Sequence, residues 1–182
     1  MKNRTFIICI VVILVIFGIL MFVSCNKKEP GSVPQSVSEN LSQPFDAKAT
    51  IKMKDLVLNA DINRTSLGKA TVTVNEPKTL AGMNFTYDGK DIVVSYHGLS
   101  VKLDENSKLV SSLLSIIVSS IDKAASKSGV DVAIEGEQLV VSGESDSGKF
   151  KIILDKKDRS IVSVNVPELD FECKFDDFIF QK

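Results

Sequence analysis

Through most of this chain apolar and polar side chains alternate one for one. Phe45, Ala47, Ala49, Ile51 and Met53 are apolar, and the residues between them, Asp46, Lys48, Thr50 and Lys52, are polar. A strand turns successive side chains to opposite faces, so the pattern predicts a strand with one buried and one wet face. The same alternation returns over residues 56–62, 70–74, 83–87, 92–96 and 99–103. Pro77 and Gly82 punctuate it, and Asp88-Gly89 reads as a two-residue hairpin turn.

The period then changes. Residues 106–127 contain no Gly or Pro, and Leu109, Leu113, Ile117, Ile121 and Ala124 recur at steps of three and four, with Val110, Leu114 and Val118 widening the stripe. This is the apolar face of an amphipathic helix. Asp104, Asn106 or Ser107 can cap its start, and Gly129 fits its end. Alternation resumes over residues 130–134, 139–141, 150–154 and 162–166. In the closing stretch Leu169, Phe171, Cys173 and Phe175 face one way and Asp170, Glu172, Lys174 and Asp176 the other. Phe178 and Phe180 fall out of step, as a bulge at Asp176-Asp177 would make them.

Two stretches follow neither period. Residues 5–25 are an almost unbroken apolar run without charge, preceded by Lys2 and Arg4. Residues 26–44 are rich in Ser, Pro, Asn, Gln and Glu and poor in large apolar side chains, so they are expected to form a disordered tether. The chain therefore divides into an apolar N-terminal segment over 1–24, a polar stretch over 25–44 that begins with Cys25, and a folded domain expected over 45–182.

The fold class that follows is α+β, mostly β. Roughly ten antiparallel strands are expected, about six before one long central helix and about four after it. Strands with a single apolar face exclude a parallel sheet buried between helix layers. One large sheet must curl, and its concave apolar face needs a cover. A helix of about 22 residues is about 33 Å long and covers much of such a half-barrel. Surplus apolar lining is either closed off by the sheet or kept for a ligand. In the second case the residues expected to line it are Phe85, Val94, Tyr96, Leu113, Ile117 and Ile121.

Composition narrows the functions. The chain has 22 basic and 23 acidic side chains, and Lys2 and Arg4 lie ahead of Cys25, so the chain from Cys25 onward carries a net charge of about −3. With no basic patch and no aromatic–basic interleaving, no nucleic-acid partner is expected. Of the three cysteines, Cys9 lies in the apolar run, Cys25 at its end, and Cys173 on the apolar side of a strand, where a free thiol behaves as a small hydrophobe. The single histidine, His97, has no His or Cys companion in sequence and reads as a surface residue. Asp176-Asp177 reads as a solvated edge, and Asp104-Glu105 as charge favourable to a helix N-terminus. There is no phosphate-cradling glycine loop, Gly-x-Ser-x-Gly elbow or zinc spacing, so neither an enzyme nor a metal or cofactor site is expected.

The boundary Phe22-Val23-Ser24-Cys25 resembles the lipobox of bacterial lipoproteins: an apolar residue, a small residue, then the cysteine. The resemblance implies a signal peptide over 1–24 cleaved before Cys25, lipid attachment to the Cys25 thiol at the head of the 25–44 tether, and a protein held in the cell envelope on the outer side of the cytoplasmic membrane. An uncleaved signal anchor is the alternative, since the apolar run is long enough to span a bilayer. Both readings place the domain outside the cytoplasm. The tether, amphipathic meander, central helix and closing meander in turn resemble the half-barrel lipoprotein carriers: the LolA-like chaperones and the LppX- and LprG-like lipid-binding lipoproteins. The segment from Val74-Asn75-Glu76-Pro77 through Leu80-Ala81-Gly82-Met83 to Tyr96-His97-Gly98-Leu99 carries most of the likeness. It implies an apolar ligand, a lipid or lipidated peptide, held between sheet and helix. The other reading is a structural lipoprotein with a dry core that binds an envelope protein through its outer face or a sheet edge.

Overall fold

The structure is a computed structural model and describes residues 34–103 and 110–181. The segment expected to be a signal peptide, Cys25 and the expected helix caps Asp104, Asn106 and Ser107 lie outside the described residues. Residues 31–182 form a compact unit of their own.

The first six strands are β1 (Phe45–Met53), β2 (Leu56–Ser66), β3 (Lys69–Glu76), β4 (Asn84–Tyr87), β5 (Ile92–Tyr96) and β6 (Leu99–Leu103). Helix α1 (Gln35–Ser42) precedes them and helix α2 (Val110–Ala125) follows them. Strands β7 (Val130–Glu135), β8 (Gln138–Ser145), β9 (Gly148–Asp155), β10 (Ile161–Val166) and β11 (Phe171–Phe180) complete the fold. They form one antiparallel sheet in the order β6-β5-β4-β3-β2-β1-β11-β10-β9-β8-β7. The chain thus meanders outward from β1 to the edge at β6. It crosses to the opposite edge with α2 and meanders back until β11 lies beside β1. A crossover between two edges runs along a face of the sheet, which puts α2 against the apolar side.

The two-residue period becomes burial directly. In β1, Phe45, Ala47, Ala49, Ile51 and Met53 are all buried. They share one core with Leu114, Ile117 and Ile121 of α2 and with Val141, Ile152, Leu154 and Val164 of the far wing. At about 25 cal/mol per Å² of apolar surface removed from water, this shared core dominates the stability.

The structure corrects the sequence reading in four places. Among the described residues there are five strands after α2 rather than about four: each of the five alternating stretches forms a strand of its own, and the turn at Pro167–Leu169, closed by Asp170 at φ 52°, parts β10 from β11. There are two helices rather than one. Residues 35–42, assigned above to the disordered tether, form α1: Val37 and Leu41 enter the core, and Ser38 Oγ donates to the Ala125 carbonyl of α2 at 2.5 Å. A short apolar pair one helical turn apart is enough when a core is there to receive it. Val162 points out, because a register shift between Ile161 and Ser163 lets Ile161 and Val164 enter the core instead. Asp88-Gly89 is not a two-residue turn. Tyr87 pairs with Ile92 across four residues, held by the Asp88 carboxylate accepting the Lys90 and Asp91 N–H groups.

The bulge expected near Asp176-Asp177 is present: β1 and β11 shift register between Asp46 and Lys48, and Asp177 has φ 48°. Past it, Phe178 stacks on Phe45 with ring centroids 4.7 Å apart, which closes the foot of the core.

Candidate functional site

Apolar side chains run in a row across the near wing. Ala47 pairs with Ile62, Ile62 with Val72, Val72 with Phe85, Phe85 with Val94, and Val94 with Val101. Residues directly opposite in a ladder share a face, so all six belong to the side that α2 covers. Burial along the row is graded. Ala47, Ile62, Val72 and Phe85 are buried, Val94 is half-buried, and Val101 is 61% exposed. A second pair lies beside it: Tyr96 is half-buried and its partner Leu99 is 74% exposed.

The reason lies in the reach of α2. Its principal contacts are with α1, β3, β4, β8, β9 and β10. Strands β5 and β6 extend the sheet past the helix as an apolar strip: on their inner faces Ile92 is still buried, Val94 and Tyr96 are half-buried, and Leu99 and Val101 are open to solvent. Where α2 meets the sheet, packing is tight. The space between Leu113 and Leu114 of the helix and Ile51, Leu58, Val72 and Phe85 of the sheet is about 10 Å³, hardly room for one water.

The six residues expected to line a ligand therefore divide. Val94 and Tyr96 lie on the open strip. Phe85 and Leu113 wall the small cavity at its inner end. Ile117 and Ile121, at 1% and 0% exposure, sit deeper in the core. Leu99 and Val101 share the inner parity of their partners but are not covered by anything among the described residues.

At the other end of α2 is a group that the sequence reading missed. Arg64 is 1% exposed, on the inner face of β2. Its Nη1 donates to the Leu41 and Gln43 carbonyls at 3.0 Å each, and its Nη2 to Asp122 Oδ1 at 2.5 Å. Asp122 Oδ2 accepts the Gly68 N–H at 2.6 Å, and the guanidinium carbon lies 5.9 Å from the centre of the Phe45 ring. One buried cation thus ties α1, α2, β2 and the β2–β3 turn together. The parity of Leu58, Ala60 and Ile62 carries on to Arg64, so an inward arginine was legible from the sequence.

The polar side of the sheet holds a larger depression, about 730 Å³, bordered by Asp46, Lys48, Asp61, Asn63, Thr71 and Asp177. Its groups mostly satisfy one another: Asn63 Nδ2 donates to Asp46 Oδ1 at 2.6 Å, and Lys48 Nζ lies 2.8 Å from Asp177 Oδ2. That lysine holds the Asp177 carboxyl below its ordinary value of 3.8. His97 sits at the tip of the β5–β6 hairpin against the Tyr96 ring. Cys173 is fully buried, and desolvation pushes its thiol well above the ordinary range. Among the described residues no three His, Cys, Asp or Glu side chains are grouped to hold a metal ion, and no helix is long and apolar enough to cross a membrane.

No protein-family model matches the chain, and no curated protein matches it. Solved structures do. An uncharacterized conserved protein from Thermus thermophilus is similar over 80% of this chain and 83% of its own, at 16% identity and a TM-score of 0.50. A LolA superfamily protein, NE2245 from Nitrosomonas europaea, is similar over 81% of this chain and 93% of its own, at 10% identity and a TM-score of 0.44. A DUF1329 family protein from Desulfovibrio piger is similar over 85% of this chain and 94% of its own, at 12% identity and a TM-score of 0.43. The likeness to the Thermus protein shows the fold alone.

Proposed function

We propose that this protein is an extracytoplasmic lipoprotein, anchored through Cys25, that binds an apolar ligand such as an acyl chain or a lipidated peptide on the open strip of β5 and β6. The observation that carries the reading is the graded row from Phe85 to Val94 to Val101, an apolar face that leaves the core and meets solvent. Contiguous exposed apolar surface on a soluble domain marks a site of interaction. An acyl chain laid along it gains about 0.8 kcal/mol for each CH₂ removed from water. Val94, Tyr96, Leu99 and Val101 would carry the contact, with Phe85 and Leu113 at its inner end. The role is one of binding, with no catalytic step.

The test is titration of residues 31–182 with a fluorescent fatty acid, followed by competition with a non-fluorescent one. Saturable, competable binding that is lost in Val94→Asp, with the melting transition retained, is the expected result. Binding unchanged in a folded Val94→Asp protein would sink the assignment of the strip.

A second reading draws on the space of about 10 Å³ beneath α2, which is closed packing. In that reading the domain is dry and the lipoprotein binds an envelope protein. It is the reading left if no lipid, fatty acid or lipopeptide binds.

A further inference from the structure

Among the described residues the sheet ends at β6 on one side and β7 on the other, and the two edges differ in chemistry. Strand β7 presents the charged residues Asp131 and Glu135, with Lys151 Nζ 3.9 Å from the Glu135 carboxylate. Charge on an edge strand discourages another strand from pairing. Strand β6 reads Leu99-Ser100-Val101-Lys102-Leu103 and has one charged side chain, Lys102, already paired with Asp91 of the same chain at 2.7 Å.

The β5–β6 turn fixes which backbone groups β6 offers. Tyr96 pairs with Leu99 across His97 and Gly98, at φ 48° and 82°, the left-handed pair of a two-residue hairpin. The flanking pair of such a hairpin exchanges both hydrogen bonds, and the sense alternates from residue to residue. The N–H and C=O groups of Leu99, Val101 and Leu103 therefore face β5, and those of Ser100 and Lys102 face outward.

We infer that the occupant of this edge is β6 of a second copy of the chain, paired antiparallel about a two-fold axis at Val101. The strand is complementary to itself in that register. Ser100 lies opposite Lys102 of the second copy, and the outward N–H and C=O groups of each pair satisfy one another. Val101 meets its counterpart at the close, non-hydrogen-bonded position, with Cα atoms about 4.5 Å apart. Leu99 lies opposite Leu103 of the second copy, so the exposed apolar side chains cover each other. Each Lys102 faces a serine and no like charges meet. A shift of two residues either way would leave part of the strand unpaired. Pairing also makes the two inner faces continuous, so that each copy contributes Val94 and Val101 to one shared apolar trough. This goes beyond the ligand reading and does not rest on it.

The test uses residues 31–182, whose one cysteine, Cys173, is fully buried. Val101→Cys and Ser100→Cys are made separately and mildly oxidised. Both positions are exposed, and melting curves confirm folding. Opposed non-hydrogen-bonded positions bring Cβ atoms close enough for a disulfide. Val101→Cys is expected to give a covalent dimer, and Ser100→Cys, which faces a lysine, is not. In a parallel arm, Val101→Lys and Val101→Glu should each sediment as monomers and recover the dimer when mixed. Failure of Val101→Cys to crosslink, or equal crosslinking of the two variants, would overturn the pairing. So would dimers as strong in either charged variant alone as in the unmodified protein. None of these readouts uses a ligand, so their failure leaves the apolar-strip reading standing.

Discussion

Arg64 shows how much one side chain can decide. It is the charged residue set deepest in an otherwise apolar face, and three of its hydrogen bonds reach backbone or side chain on other elements. Breaking a fully buried ion pair costs about 3–5 kcal/mol, and since the Asp122 side chain left behind is 25% exposed the lower end of that range applies. Arg64→Ala should therefore lower unfolding stability by about that amount in urea titration, without altering the strand content of the folded state. Cys173 is the opposite case, a polarisable atom used as filler. Burial raises its thiol, so thiol reagents should leave it unmodified in the native protein and label it on unfolding. The exposed pair Lys48–Asp177 gives a pH prediction. Its carboxyl is held below the ordinary value of 3.8 in the folded state, so its contribution is present above that value and is lost as pH falls through the lower folded one. Melting temperatures on the acid side should fall less steeply in Asp177→Asn than in the unmodified protein.

At the scale of elements, the strands were the most legible part. Alternation predicted β1 residue by residue, because a sheet with one wet face imposes the same period on sequence and burial. What alternation could not convey was where a ladder slips. Val162 belongs to an apolar series but sits outside, because the backbone inserts a shift after Ile161. Helix α1 was illegible for another reason. Its sequence, Gln-Ser-Val-Ser-Glu-Asn-Leu-Ser, has little intrinsic tendency to fold, and it is held by partners far along the chain: the Ala125 carbonyl, Arg64 and the core. A local reading sees only the polar composition. Leu41→Ala should accordingly cost about 2–5 kcal/mol, as expected for a core leucine and not for a residue in a tether. Ile117→Asp puts a charge where exposure is 1% and should unfold the domain, so it cannot serve as a probe of ligand binding.

At the scale of the molecule, the sequence conveyed which residues share the inner face but not how far that face is covered. Phe85, Val94 and Tyr96 lie on the sheet face turned toward α2, and Leu113, Ile117 and Ile121 on α2 itself, as parity and helical spacing implied. Which of them are open depends on how far the helix extends across eleven strands, and spacing along the chain does not contain that distance. The packing does: α2 rests against β3 and β4 on one wing and β8, β9 and β10 on the other, while β5 and β6 run past it. If this overhang is a binding surface for an apolar ligand, as proposed, the protein should carry or capture one. Native mass spectrometry of residues 31–182, as purified and after incubation with phospholipid and lipopeptide, decides it. The expected result is an added mass in the lipid range that disappears on denaturation and is absent from Val94→Asp. An apo mass under every condition would refute the binding surface.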